Sequence, residues 1–364
     1  MLISNIDTLI CSFDIADYEE RNIELFSLLE EKKQDAATAT REFENNEVNV
    51  KLGFIEFKIL GNGRQGYAYI LHNDLLEINL ARFRSKMESF YPLRIRWKSE
   101  YLWSCGFKNS WQLVEEWIKE TLGEIIDCKI SRVDLCCHID DLKLELYNMA
   151  NFKGSYRNQN IYLTDRKVSS MNFGSRNSPV YLRIYDKVLE IKVTRNKTWF
   201  NEIWKHFNID LNNVWNVEFE LHRDFLREKQ INNFTELYES LQTLWRYLTT
   251  KWIVMIKNDN VRTDRCETEE VWKKIQGAFD KYEDKPLIER AKQLDCDAKA
   301  LVPQIVGCIA SYGARLGVED IDYVYQMLHS QSKEYLERKN ISYDKKIEEK
   351  MKSLNHNIRL VVNQ

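Results

Sequence analysis

The sequence predicts an α+β protein, with an antiparallel-sheet domain followed by an all-helical C-terminal region. Three observations lead there. Up to about residue 225 the apolar residues mostly recur at every second position, as in strands with one buried face. From about residue 232 they recur at helical spacing instead. Apolar residues make up 44% of the 364 and charged residues 30%, a balance that folds in water rather than staying disordered. The change of period sets the expected domains at 1–228 and 229–364.

Strands are expected at 8–15, 52–60, 66–71, 75–81, 93–98, 130–139, 160–164, 180–191 and 214–222, with helices at 21–32, 110–122 and 143–151. The second of these helices has Asn109 or Ser110 as its cap and Leu113, Trp117, Ile118 and Leu122 on one side. In the C-terminal region Leu237, Leu241, Leu244, Leu248 and Trp252 form one apolar stripe, and Ile321, Val324 and Leu328 another. Positions 302–309 read as buried helix interior, and the charged segment 341–364 as a frayed end.

Several function classes drop out early. No apolar run approaches the roughly 18 residues a membrane span needs. The first residues carry no basic n-region and no small-residue cleavage site, so no secretory signal is expected. Eight cysteines without a C-x-x-C pair suit reduced thiols in a cytoplasm better than a zinc ribbon or a disulfide framework. The segment Gly61-Asn62-Gly63-Arg64-Gln65-Gly66 fits a dinucleotide fingerprint in letters only. That fingerprint must open a helix, whereas Gly66 leads into the strand-like Tyr67-Ala68-Tyr69-Ile70-Leu71. A hairpin turn is the expected reading.

The net charge of −3 hides an uneven distribution. Residues 1–50 hold twelve acids against four bases, whereas 151–200 hold ten bases against three acids. A second basic stretch, Arg82, Arg84, Lys86, Arg94, Arg96 and Lys98, is interleaved with Phe83, Phe90, Tyr91 and Trp97. Clustered cations with stackable rings suit single-stranded or distorted DNA, although a solvated basic face would look the same.

Three strand-like segments carry the candidate chemistry. In the first, Val133, Leu135, Cys137 and Ile139 should face the core, leaving Arg132, Asp134, Cys136, His138 and Asp140 on the other side. In the third, Val217, Phe219 and Leu221 face in and Glu218, Glu220 and His222 face out. Carboxylates on two strands of one sheet are either solvated or bind a hard cation through oxygen, Mg²⁺ or Mn²⁺ being the natural occupants. In the second segment a turn at 174–179 precedes a strand on which Tyr181, Arg183, Tyr185 and Lys187 share a face. Cations beside a phenol should favour phenolate and offer donors to a phosphate oxygen. By itself this does not single out Tyr185 from the other tyrosines.

Together and in this order, the segments resemble the replication initiation factor family of the Rep-trans type, which holds rolling-circle initiators and related conjugative relaxases. The resemblance spans roughly 50–225. Arg132-Val133-Asp134-Leu135-Cys136-Cys137-His138 is similar to the family's R-[IL]-D-L-x-x-D. Residues 173–187 are similar to F-G-x-R-x-S-x-x-x-R-I-Y-[ND]-K, and 215–223 to W-R-V-E-x-E-L-x-R. The resemblance implies an initiator that nicks and religates one strand at an origin through a 5′-phosphotyrosyl link, with Tyr185 as nucleophile. Arg183 and Lys187 would hold the phosphate, and Asp134, Glu218 and Glu220 would bind Mg²⁺ or Mn²⁺. Arg176, Arg82, Arg84, Arg94, Arg96 and Lys98 are the expected DNA contacts. Origin DNA, single-stranded or melted at the nick site, a host helicase and a second copy of the chain are the expected partners. Two departures stand out. His138 occupies the place of the family's second acid, and no N-terminal helix-turn-helix module is evident, which favours a plasmid or phage initiator over a relaxase. A DNA-binding regulator without activity on the same fold is the alternative from another class.

Overall fold

The architecture starts from β1 (Leu2–Ile15), a long strand that pairs on one side with β6 (Leu93–Trp97) and on the other with β7 (Ile125–Ile139). The computed structural model describes residues 1–43, 47–85, 90–257, 266–280 and 298–348. Lys86 and residues 349–364 therefore lie outside the described residues, as do the side chains of Pro303 and Gln304. Around the central trio run β2 (Glu47–Leu52), β3 (Ile55–Leu60), β4 (Tyr69–His72) and β5 (Leu76–Leu80) on one flank. The other flank holds β9 (Gln159–Thr164), β10 (Lys167–Phe173), β11 (Val180–Asp186) and β12 (Trp215–His222). They join in one 11-stranded antiparallel sheet, in the order β2-β3-β4-β5-β6-β1-β7-β12-β11-β10-β9. A separate ribbon pairs β8 (Phe152–Gly154) with β13 (Ile253–Met255).

The expected alternation holds along the central strands. Val133, Leu135, Cys137 and Ile139 of β7 and Val217, Phe219 and Leu221 of β12 enter the core. Helices cover that face. After α1 (Tyr18–Arg21), α2 (Ile23–Phe43) and α3 (Ser99–Cys105) comes α4 (Phe107–Thr121). From α4, Trp111 stacks on Trp97 at 5.4 Å, and Trp117 meets Phe57 edge-on at 5.7 Å. The glycine segment joins β3 to β4 as an antiparallel turn, with Arg64 bridging Tyr67 and Gly66 at φ 85°, so no helix opens there.

Some elements differ from expectation. Residues 143–151 form two single 3₁₀ turns rather than a helix. The span 180–191 breaks where the Asp186 carboxylate accepts the Leu189 N–H at 2.8 Å, capping α5 (Lys187–Thr194). The sequence pattern passed over β10 and α6 (Phe200–His206), both short and without a clean period.

The expected boundary at 228 moves. The compact units are Met1–Leu287 and Ile288–Gln364. After α7 (Arg223–Glu228), α8 (Phe234–Tyr247) brings Leu237, Leu241, Leu244 and Trp245 into the sheet core. Trp245 meets Phe219 edge-on at 5.4 Å, and its indole donates to the Ile275 carbonyl of α9 (Glu270–Gln276) at 2.7 Å. A cut near 230 would strip four large side chains from one core, and removing a single buried Trp costs about 3–5 kcal/mol. The second unit is a hairpin of α10 (Ala298–Leu316) and α11 (Ile321–Arg338), turned at Gly317 with φ 67° and capped by Asp320. Two helices share only one seam. Ile309 and Val324 are buried, whereas Val302, Ile305 and Val306, expected inside, are exposed. Among the described residues no helix is long and apolar enough to cross a membrane.

Candidate active site

The polar face of the sheet is organised by register into rows. Tyr185 pairs with Asn216, and Asn216 with His138; Arg183 pairs with Glu218, and Glu218 with Cys136; Tyr181 pairs with Glu220, and Glu220 with Asp134. The three resemblance-bearing segments therefore do meet, side by side on β11, β12 and β7.

Tyr185 is the hub of the first two rows. Its hydroxyl donates to Glu218 Oε2 at 2.9 Å and accepts from Lys187 Nζ at 3.1 Å and Asn216 Nδ2 at 2.8 Å. Arg183 is bonded to the other Glu218 oxygen. Lys187 does not sit on the strand face. The Asp186 cap turns the chain into α5, and the fully buried Lys187 reaches back to the phenol while pairing with Glu190 at 2.6 Å. The expected phenolate is overturned. Burial drives the Tyr185 hydroxyl well above its ordinary value, Glu218, Glu190 and Asp7 push the same way, and Arg183 opposes them. The resting group is a phenol beside a carboxylate that can take its proton.

This end of the face is roofed. Trp103 of α3 stacks on His138 at 4.9 Å, and Phe200 of α6 closes edge-on at 4.7 Å. The His138 Nδ1 accepts from the Trp204 indole at 3.0 Å, which leaves the proton on Nε2. Burial and the charge of Lys187 keep this ring neutral. Asp140 lies beyond it, accepting the Asp210 N–H at 3.1 Å.

Sequence reasoning missed Asp7, Lys197, Asn216 and Glu190 at this site. Asp7 is the extra residue at the β1 bulge between Ile6 and Thr8. It is buried, accepts from Ser99 and from the Trp103 indole at 3.2 Å, and pairs with Lys197 at 3.4 Å. Burial opposes its charge, but Lys197 and Lys187 outweigh it and hold the carboxyl well below the usual range. An isolated Asp in an apolar strand was the only available signal. Asn216 stands where the resembled pattern has Arg.

The carboxylates Asp134, Glu218 and Glu220 do not fit a common divalent ion as they are placed. The Arg132 guanidinium lies between Asp134 and Glu220, with bonds of 2.8 and 2.7 Å to Asp134 and 2.8 Å to Glu220. Glu220 also holds His222 at 2.9 Å, and Glu218 is turned to Arg183, Tyr185 and Asn216. The oxygens expected to bind a metal are engaged by this chain's own cations. Burial pushes the Asp134 carboxyl up to about 6 against the pull of Arg132, whereas His222 and Arg132 outweigh burial at Glu220 and hold it low.

The expected DNA contacts separate into two groups. Arg94 and Arg96 of β6 share the polar face, opposite Ser12 and Ile10. Arg176 is exposed in the turn before β11 and contacts Tyr181. Arg82 and Arg84 are paired with acids, Glu30 at 3.9 Å and Asp14 at 3.1 Å, whereas Glu77, opposite Arg96 on β5, is bonded to Arg64. The half-buried Lys98 donates to the Asn73 carbonyl.

No family model and no curated protein match this chain. Among solved structures it is similar to the rolling circle replication initiator protein from Geobacillus stearothermophilus, with 13% identity and a TM-score of 0.46, over 79% of this chain and 100% of that one. The likeness is a distant one of architecture.

Proposed function

We propose that this chain is a replication initiator that nicks one DNA strand with Tyr185 and reseals it. The observation that carries the reading is the Tyr185 hydroxyl held by Glu218, Lys187 and Asn216 on a face where three polar atoms, Arg183 Nε, Asn216 Oδ1 and His138 Nε2, are buried without a hydrogen-bond partner among the described residues. Two of them, Arg183 Nε and His138 Nε2, are donors, and unsatisfied buried donors beside a nucleophile that has its own base suit a site that takes a negatively charged substrate.

The chemistry follows from this chain's own residues. Glu218 takes the phenol proton as the Tyr185 oxygen attacks phosphorus. Arg183 and Lys187 then donate to the oxygens on which charge accumulates. The 3′-oxygen leaves and takes a proton from water, giving a 5′-phosphotyrosyl link and a 3′-OH that can prime synthesis. The link conserves the phosphodiester energy, so resealing needs no ATP.

The test is covalent capture. The protein is mixed with supercoiled plasmid or single-stranded oligonucleotide carrying the candidate origin, and the DNA is resolved under denaturing conditions. Tyr185→Phe keeps the ring and removes the nucleophilic oxygen, so the adduct should vanish while duplex binding stays nearly intact. An adduct in the Phe variant would move the nucleophile elsewhere, first to Tyr181 on the same face.

A further inference from the structure

Lys197 lies 12 residues beyond Tyr185 and outside the three motif segments 132–138, 173–187 and 215–223. Its backbone is left-handed, φ 59°, a conformation that non-glycine residues adopt at a cost and that gathers at functional sites. Its ammonium is led inward to Asp7, which reaches the site from the β1 bulge and is fixed by Ser99 and the Trp103 indole. Three donors converge on one buried carboxylate, and Lys187, the nucleophile's own lysine, also acts on its charge. Lys197 itself feels Glu218 and Glu190, the two acids beside Tyr185. Here Asp7 holds a partly exposed cation that feels the two acids beside the nucleophile.

We propose that Lys197 is a further catalytic cation of the nick site, taking the negative charge of the scissile phosphate beside Arg183 and Lys187, and that Asp7 is the positioning residue that fixes it. The proposal rests on the nicking reading above. No bond to Lys197 forms or breaks. As Tyr185 attacks and the 3′-oxygen leaves, charge builds on the non-bridging oxygens, and Lys197 donates to one of them without giving up its proton.

The experiment is single-turnover cleavage of a saturating single-stranded oligonucleotide by full-length protein, with a normal phosphate or a neutral methylphosphonate at the scissile linkage. Lys197→Ala removes the partner of the buried Asp7 carboxylate, so its unfolding midpoint is measured beside the rate, and the comparison of the two substrates separates lost folding from lost charge. On phosphate it should slow cleavage by about 100-fold, the loss typical of one oxyanion donor. Lys197→Arg should recover part of this, and Asp7→Asn should show a smaller loss. On methylphosphonate there is no charge to offset, so the ratio of wild type to Lys197→Ala should fall toward one. Equal rates on phosphate, or the same loss on both substrates, would overturn the role. If wild type forms no adduct at all on phosphate, the nicking reading itself fails, a distinct outcome.

Discussion

The two ends of the sheet's polar face are built in opposite ways. At one end His138, Asn216, Cys136 and Glu218 are buried, Trp103 and Phe200 cover the His138 ring, and the Glu218 carboxylate is bonded across the strands to Arg183. At the other end Arg96 is exposed and Arg94 and Lys129 are half-buried; β1 supplies Ser12 and Ile10 beside the two arginines, and β5 supplies Asn79 and a single acid, Glu77, which is bonded to Arg64 at 2.7 Å. On the nicking reading proposed above, the contrast is a division of labour. A dry, pre-bonded end strengthens each donor aimed at developing charge, because water does not screen it. A wet basic end suits phosphates along a strand, where contacts are many, individually weak and sensitive to salt. Arg132, half-buried and bonded to two buried carboxylates, marks the divide.

The largest effect expected from this division is at the dry end. Glu218→Gln keeps the shape and removes the proton acceptor of Tyr185, so cleavage at neutral pH should drop about 10²–10⁴-fold. The pH dependence follows with a definite sign. Burial holds the Tyr185 hydroxyl well above its ordinary value, so the phenol keeps its proton throughout pH 6–9. With Glu218 in place the protein supplies the base, and the rate should vary little across that range. In Glu218→Gln only hydroxide remains, and the rate should climb about tenfold per pH unit. A Gln variant with a flat profile would assign the proton to another group.

How much of this was legible in the sequence depended on whether a feature was local. Period two along 130–139 and 214–222 placed Val133, Leu135, Val217 and Phe219 in the core, because alternation is a property of the strand itself. The same rule put Glu218 and Tyr185 on one face. It was silent on their cover, because the roof comes from Trp103 and Phe200, far away in sequence. The phenolate expected for Tyr185 failed for that reason, since desolvation depends on what packs above. Lys187 was assigned to the strand because the Asp186 cap, one residue earlier, was not read as a helix start. Asp7 and Lys197 meet only in three dimensions. The boundary expected at 228 followed the change of period faithfully, but a helical stripe does not reveal whether it packs on its own kind or, as α8 does, on a sheet.

A middle-sized effect tests the divide. If Arg132 fills the place between Asp134 and Glu220, removing it should free two buried carboxylates for a hard cation. Arg132→Ala should bind Mn²⁺ more tightly than wild type, measured as loss of free-ion signal in electron paramagnetic resonance, and Asp134→Asn on that background should abolish the gain. Wild type binding Mn²⁺ as tightly as Arg132→Ala would show that the guanidinium yields to the ion, and the expected Asp134, Glu218 and Glu220 site would then stand. The same variants read for nicking with and without Mg²⁺ would show whether an ion there serves the reaction.

The smallest effect is at the wet end. In their rows Arg94 has Ser12 and Asn79 beside it, and Arg96 has Ile10 and Glu77, whose carboxylate is bonded to Arg64 at 2.7 Å, so on the nicking reading both guanidinium groups are candidates for phosphate contacts. Each phosphate contact on single-stranded DNA contributes about 0.7 to the slope of log affinity against log salt. The double substitution Arg94→Ala, Arg96→Ala should therefore flatten that slope by about 1.4, while weakening binding only severalfold at low salt. The cleavage rate at saturating oligonucleotide should not change, because neither residue lies in the rows of Tyr185, Glu218 or Asp134. Arg84→Ala serves as the control. Its charge is already committed to Asp14 at 3.1 Å, so its loss should leave the slope unaltered. An unchanged slope in the double variant would take the strand's path off β6 and leave the turn with Arg176 as the next route to Tyr185.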